Sequence, residues 1–150
     1  MTRLHDLYEQ HQQSPWLDNL RRDWIMSGEL DRWVERGVRG LTSNPTIFQK
    51  AIGGSDAYDT ELATFVDAGA SVEEAYWGLV ISDIRGALKA LGPVHDDSGG
   101  EDGYVSVEVA PSLAHDTQGT IEAARSLDAE IAAPNPVSYT HLTLPTTPYV

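Results

Sequence analysis

With 150 residues, 41% of them apolar, the chain is long enough to enclose one hydrophobic core but too short for the larger single-domain α/β barrels. Ten lysines and arginines against 23 aspartates and glutamates give a formal charge of −13, which repels nucleic-acid backbones and anionic membrane surfaces, so neither is expected as a partner. No apolar run approaches the roughly 20 residues that span a bilayer, the N-terminus lacks a secretory apolar segment and there is no cysteine, all of which point to the cytoplasm.

Ser14 to Asp18 reads as a short opening strand. From Leu17 to Glu35 the apolar residues recur at spacings of three and four, which predicts a helix broken near Ser27-Gly28. Leu41 to Pro45 reads as a second short strand running into a loop, because the residue before proline is pushed towards extended geometry. Pro45 suits the first position of a helix that stops at Gly53-Gly54, and a further helix covers Asp56 to Val66. Ser71 to Glu74 has the form of a capping box and opens a helix carrying Ala75, Leu79, Ile84, Leu88 and Leu91. After an acidic, glycine-rich loop from Asp96 to Gly103, Tyr104 to Val109 alternates as a strand that Pro111 ends. A polar break at Ala114 to Thr117 leads into a helix from Gln118 to Ala132. The alternation predicts an α/β fold with a parallel sheet or barrel.

From Pro134 to Val150 there is no Asp, Glu, Lys or Arg, and threonine and proline abound. The break places a boundary after Asn135, with residues 1–135 as the folded unit and 136–150 as a non-native or disordered tail. Val137 to Pro148 is similar to a translated cloning or sequencing adaptor.

Three polar positions fall where the C-terminal ends of strands are predicted, which form the active-site face of a barrel: Asp18, the run Thr42-Ser43-Asn44, and Glu108. Each has a structural alternative. Glu108 either faces solvent or is held in the interior, Asp18 either caps the next helix or carries chemistry, and Asn44 before Pro45 suits a turn. The histidines form no close pair and no cysteine joins them, so no metal site is expected. His115-Asp116 suits a solvated loop with an N-cap. No glycine-rich phosphate loop is present, and the four tryptophans sit on apolar faces as core residues.

The stretch Ser14-Pro15-Trp16-Leu17-Asp18-Asn19-Leu20, then Gly37 to Phe48 with its Leu41-Thr42-Ser43-Asn44-Pro45-Thr46 centre, resembles the opening of a bacterial transaldolase. The likeness continues through Gly54-Ser55-Asp56, Tyr58-Asp59, the strand Gly103 to Pro111 and Leu113 to Thr120, and spans about Leu7 to Asn135. It implies a (β/α)₈ TIM barrel of which this chain holds about the first three βα units. It also implies transfer of a dihydroxyacetone unit from sedoheptulose 7-phosphate to glyceraldehyde 3-phosphate in the pentose phosphate pathway, through a lysine Schiff base and without metal or organic cofactor. By the resemblance Asp18 is the base for the leaving hydroxyl, Glu108 works through a bound water, and Thr42 and Asn44 hold the dihydroxyacetone hydroxyls.

The chain departs from the family after Pro134-Asn135, where a strand bearing the Schiff-base lysine is called for and Pro136-Val137-Ser138-Tyr139 stands instead. Lys50 and Lys89 both lie on predicted helices and match no nucleophile of the family. The chain is therefore expected to be an inactive fragment, with an unpaired sheet edge and an uncovered apolar interior that make it prone to aggregate. Two other readings stand beside it: the first part of a fusion with glucose-6-phosphate isomerase, and a non-catalytic interaction module. Oligomeric state is not legible.

Overall fold

The computed structural model describes residues 2–138. Four short strands make one parallel sheet in sequential order: β1 (Trp16–Leu17), β2 (Gly40–Leu41), β3 (Tyr104–Ser106) and β4 (Pro136–Val137). Between and around them lie α1 (Arg3–His11), α2 (Arg22–Met26), α3 (Glu29–Glu35), α4 (Pro45–Gly53), α5 (Asp59–Asp67), α6 (Val72–Asp97) and α7 (Thr117–Ile131). Single 3₁₀ turns at Asp56–Tyr58 and Pro111–Leu113 complete the path.

Helix starts follow the local chemistry. Ser71 caps α6 by accepting from the Glu74 N–H, and the Glu74 carboxylate accepts from the Ser71 N–H in return. Asn44 caps α4 by accepting from the Ile47 N–H at 2.9 Å, with Pro45 in the first turn, where its missing N–H costs nothing. Asp116 caps α7 through the Gly119 N–H, as its loop position suggests. Helix α6 runs through Pro93 to Asp97, so the loop expected from Asp96 begins later; packing of Leu88 and Leu91 in the core outweighs the one hydrogen bond the proline removes. Helix α1 carries no sequence signal singled out above, although Thr2 caps it.

The register pairs Leu17 with Leu41 and Leu41 with Val105. Since side chains alternate across a strand, this row faces one side of the sheet. It meets Val80, Ile84, Ala87, Leu88 and Leu91 of α6 in a single core, which Leu20, Leu30, Leu127 and Ile131 extend. Each of these valine, leucine and isoleucine side chains contributes about 1.5–3 kcal/mol by leaving water. The other row holds Trp16, Gly40, Tyr104 and Ser106, continued by Asp18, Thr42 and Glu108 beyond the strand ends. Gly40 is bare because the Trp16 indole lies across it: an added Cβ would stand 2.3 Å from the ring. Trp16 remains 37% exposed there, unlike the half-buried Trp24 and Trp77, which pack against the core as expected.

Two expectations need correction. A fourth strand adds to the three anticipated: the Pro136 and Val137 placed in the tail pair with Val105 and Ser106, and Val107 N–H donates to Val137 O at 2.9 Å. The row opposite the core is also not a bare apolar interior, since it carries a buried Ser106, a half-buried Glu108 and a threonine. The remaining tail, residues 139–150, lies outside the described residues.

The N-terminal end of the sheet is closed by charge. Arg39 Nε donates to Asp102 Oδ2 at 2.5 Å, Ser14 Oγ donates to the same carboxylate, and the Arg39 guanidinium stacks 3.6 Å from the Tyr8 ring centre. Asn135 Nδ2 donates to Gly103 O at 2.8 Å and ties the approach to β4 to the start of β3.

Candidate active site

The C-terminal end of the sheet gathers the polar residues that the sequence singles out. Asp18 follows β1, Thr42 and Asn44 follow β2, and Glu108 stands two residues beyond β3. A latch fixes β2 to β3 beneath them: Ser43 Oγ donates to Ser106 O at 2.6 Å, and Ser43 N–H donates to Ser106 Oγ at 3.2 Å, with both serines buried. The hydroxyls of both serines are satisfied in that latch, as buried polar groups require.

Asp18 does not cap a helix. The residue at the start of α2 is Arg21, which makes no side-chain cap, and the Asp18 carboxylate instead accepts from Thr42 Oγ1 at 2.5 Å. Glu108 is half-buried rather than turned fully to solvent. Burial, and then the charge of Asp18, push its carboxyl above the usual carboxylate range. The two acids thus share one electrostatic environment, in which a proton is retained more readily on Glu108 than in water.

Asp18, Asn44 and Glu108 line a cleft of about 560 Å³, together with Ile47 and Lys50 of α4. An adjoining hollow of about 400 Å³ shares Asp18, Ile47 and Lys50 and adds Asn19 and Arg21. Because Asn44 Oδ1 is committed to the Ile47 N–H, its amide NH₂ is the part left to donate to a ligand. Thr42 is held to Asp18 and is half-buried at the same end. Lys50 is exposed at the cleft, whereas Lys89 is exposed on α6. Ile47 and Lys50, three residues apart on α4, are neighbours on the helix surface and line the cleft together with the Asn44 cap. Among the described residues no group of three His, Cys, Asp or Glu stands close enough to hold a metal ion. No helix among them is long and apolar enough to cross a membrane.

A second polar cluster has no counterpart in the sequence reading. Arg22, buried at the start of α2, donates through Nε to Asp83 Oδ1 at 2.6 Å and through Nη2 to Leu79 O at 3.2 Å, and pairs with Glu61. Tyr58 Oη donates to the other Asp83 oxygen at 2.7 Å, and the guanidinium sits 4.3 Å from the Tyr58 ring centre. Burial pushes the Asp83 carboxyl up, against the hydrogen bonds of Tyr58 and Arg22. Burial and Asp83 likewise hold the Tyr58 hydroxyl protonated. The cluster ties α2, α5 and α6 together behind the loop that carries Asp18. The helical pattern of α6 hides Asp83, because one acid on an apolar stripe looks like a slip of phase.

Comparison with known proteins identifies the family. The model of the family described as Transaldolase/Fructose-6-phosphate aldolase matches residues 15–137. The chain is 49% identical over 128 residues to "Transaldolase 2" of Nostoc punctiforme, covering 85% of this chain and 34% of the relative. It is 50% identical over 124 residues to the transaldolase of Thiobacillus denitrificans, with 82% and 34% covered. With the transaldolase of Neisseria gonorrhoeae it shares 44% identity over 135 residues, 90% of this chain and 38% of that one. The chain thus spans about a third of the length of the curated relatives it matches.

Proposed function

Because the chain belongs to the transaldolase/fructose-6-phosphate aldolase family, we propose that its cleft is the acid–base part of a transaldolase active site that takes sugar phosphates. The observation that carries the reading is the placement of Asp18 and Glu108 at the same end and on the same face of the sheet, on either side of Thr42. Carboxylates whose environments differ are suited to separate proton transfers in one reaction.

In this reading a lysine amine adds to the ketose carbonyl of sedoheptulose 7-phosphate, and loss of water gives an iminium. Asp18 takes the proton of the hydroxyl on the far side of the scissile bond; that bond's electron pair moves into the iminium to give an enamine, and the shortened aldose leaves. The enamine adds to the aldehyde of glyceraldehyde 3-phosphate, Asp18 returns the proton to the new hydroxyl, and water releases the ketose. Glu108, kept readily protonated, serves the gain and loss of water through one bound water molecule. Asn44 donates to a hydroxyl of the transferred unit. No metal or organic cofactor takes part in this scheme.

In this reading β1, β2 and β3, within residues 1–135, form the opening arc of a (β/α)₈ barrel that works in the cytoplasm within the pentose phosphate pathway. Neither lysine of this chain stands on a strand, so the chain alone is expected not to turn over. The test joins residues 1–135 to the remaining two-thirds of the Thiobacillus denitrificans relative and measures transfer from sedoheptulose 7-phosphate. An active chimera is expected, with Asp18→Asn and Glu108→Gln each lowering kcat by about 100- to 10,000-fold. A folded chimera without transfer, or full activity in both variants, overturns the assignment.

A further inference from the structure

We propose that Thr42 is a positioning residue, whose hydroxyl pins the Asp18 carboxylate on the face of the sheet that it shares with Glu108. The proposal rests on the reading of Asp18 and Glu108 as a working pair, and concerns what keeps them paired.

Among the described residues, the bond from Thr42 Oγ1, at 2.5 Å, is the one hydrogen bond that the Asp18 carboxylate makes, and it has no ion-pair partner. Asp18 is exposed, so its carboxylate is held by no burial in the core. Thr42, by contrast, is fixed on both counts. Its backbone N–H donates to Leu17 O at 2.9 Å, which locks β2 against β1 one residue before the aspartate, and its β-branched side chain has little freedom about χ1. A mobile carboxylate is therefore tethered to a rigid donor on the neighbouring strand.

A hydroxyl carries one proton. When Thr42 gives it to Asp18, only lone pairs remain for a ligand, so donation to a sugar oxygen falls to Asn44. A hydrogen bond to a carboxylate is also short and strong, which holds the Asp18 side chain in place. Charge held at that spot acts on Glu108, whose carboxyl is raised by burial and then by Asp18. The remaining charged groups around the cleft are Lys50 on α4 and Arg21 ahead of α2, and Arg21 is engaged by Asp23 through two hydrogen bonds. Freed of Thr42, Asp18 turns towards water or these cations, and its field at Glu108 weakens.

The readout is the titration of Glu108, followed by the carboxyl carbon signal in glutamate-labelled protein, in the parent chain and in Asp18→Asn, Thr42→Val and Thr42→Ser. Backbone amide spectra confirm that each variant is folded. Asp18→Asn lowers the Glu108 midpoint and sets the full scale. Thr42→Val, which keeps the shape of the side chain and removes the proton, is expected to lose the larger part of that scale, and Thr42→Ser to restore the parent midpoint. A Glu108 midpoint unmoved by Thr42→Val while Asp18→Asn lowers it overturns the positioning role and leaves the pair standing. If Asp18→Asn itself moves nothing, the two acids share no field; the paired reading of the site then fails, and this proposal with it.

Discussion

Removing Asp83 tests whether the buried cluster behind the Asp18 loop holds the helices together. In Asp83→Ala the Arg22 Nε and the Tyr58 hydroxyl both lose their acceptors, at sites where Arg22 is 8% and Tyr58 1% exposed. Breaking a buried charge pair from one side costs about 3–5 kcal/mol, because the other charge stays out of water uncompensated. Arg22 still keeps Glu61 and the Leu79 carbonyl, which argues for the lower end, about 3 kcal/mol. For a chain of this size that corresponds to a fall in Tm of roughly 10 °C. Replacing both charges, as in Arg22→Met with Asp83→Leu, removes the two buried ions together; Glu61 loses its partner but its side chain is 35% exposed to water, and the Tyr58 hydroxyl loses its acceptor, so the double variant is expected to cost less than Asp83→Ala alone. Urea titrations followed by circular dichroism measure both variants against the parent. If Asp83→Ala falls within about 1 kcal/mol of the parent, or the double variant is the less stable of the two, the cluster is not a buried, mutually satisfied network.

Two further outcomes follow from the same contacts. The Glu108 carboxyl is raised by burial and by Asp18, so the folded state favours its protonated form. Its contribution to stability is fully present below the ordinary glutamate range and is lost as pH rises through the raised value. Glu108→Gln is accordingly expected to match the parent near pH 3 and to exceed it in urea resistance at pH 7; equal stability at both pH values refutes this. Gly40→Ala drives a methyl group into the Trp16 ring at 2.3 Å and is expected to cost about 1–3 kcal/mol, with a change in tryptophan fluorescence. A neutral result there would mean that the indole does not lie across β2.

The helix starts are the part of the fold most plainly written in the sequence. Ser71-Val72-Glu73-Glu74 and Asn44-Pro45 state their geometry in neighbouring residues, because a cap is a bond across three positions. The candidate site residues are legible as a set through their place after strands, since Asp18, Thr42, Asn44 and Glu108 all come to one end of the sheet. What the pattern withholds is pairing at a distance. Nothing local says that Arg22 meets Asp83, 61 positions away, or that Arg39 meets Asp102, 63 positions away. Strands of two or three residues are also too brief for alternation to delimit, so β3 reads longer than it is and β4 is missed behind two prolines. The nature of the Asp18 contact is likewise invisible until β1 and β2 are set in register.

The sequential order of the sheet bears on how such a chain acquires its shape. Each strand pairs with the one made just before it, and none waits for a segment made later than its immediate successor. On a ribosome, where N-terminal segments emerge first at about 5–20 residues per second, β1 and β2 are separated by few enough residues to meet early. The long stretch to β3, most of it helical, supplies α6 as a lid for the apolar row before the third strand arrives. Assembly by accretion of this kind lets an elongating polypeptide shelter its greasy side one layer at a time, with a fresh edge always turned towards the next segment to emerge.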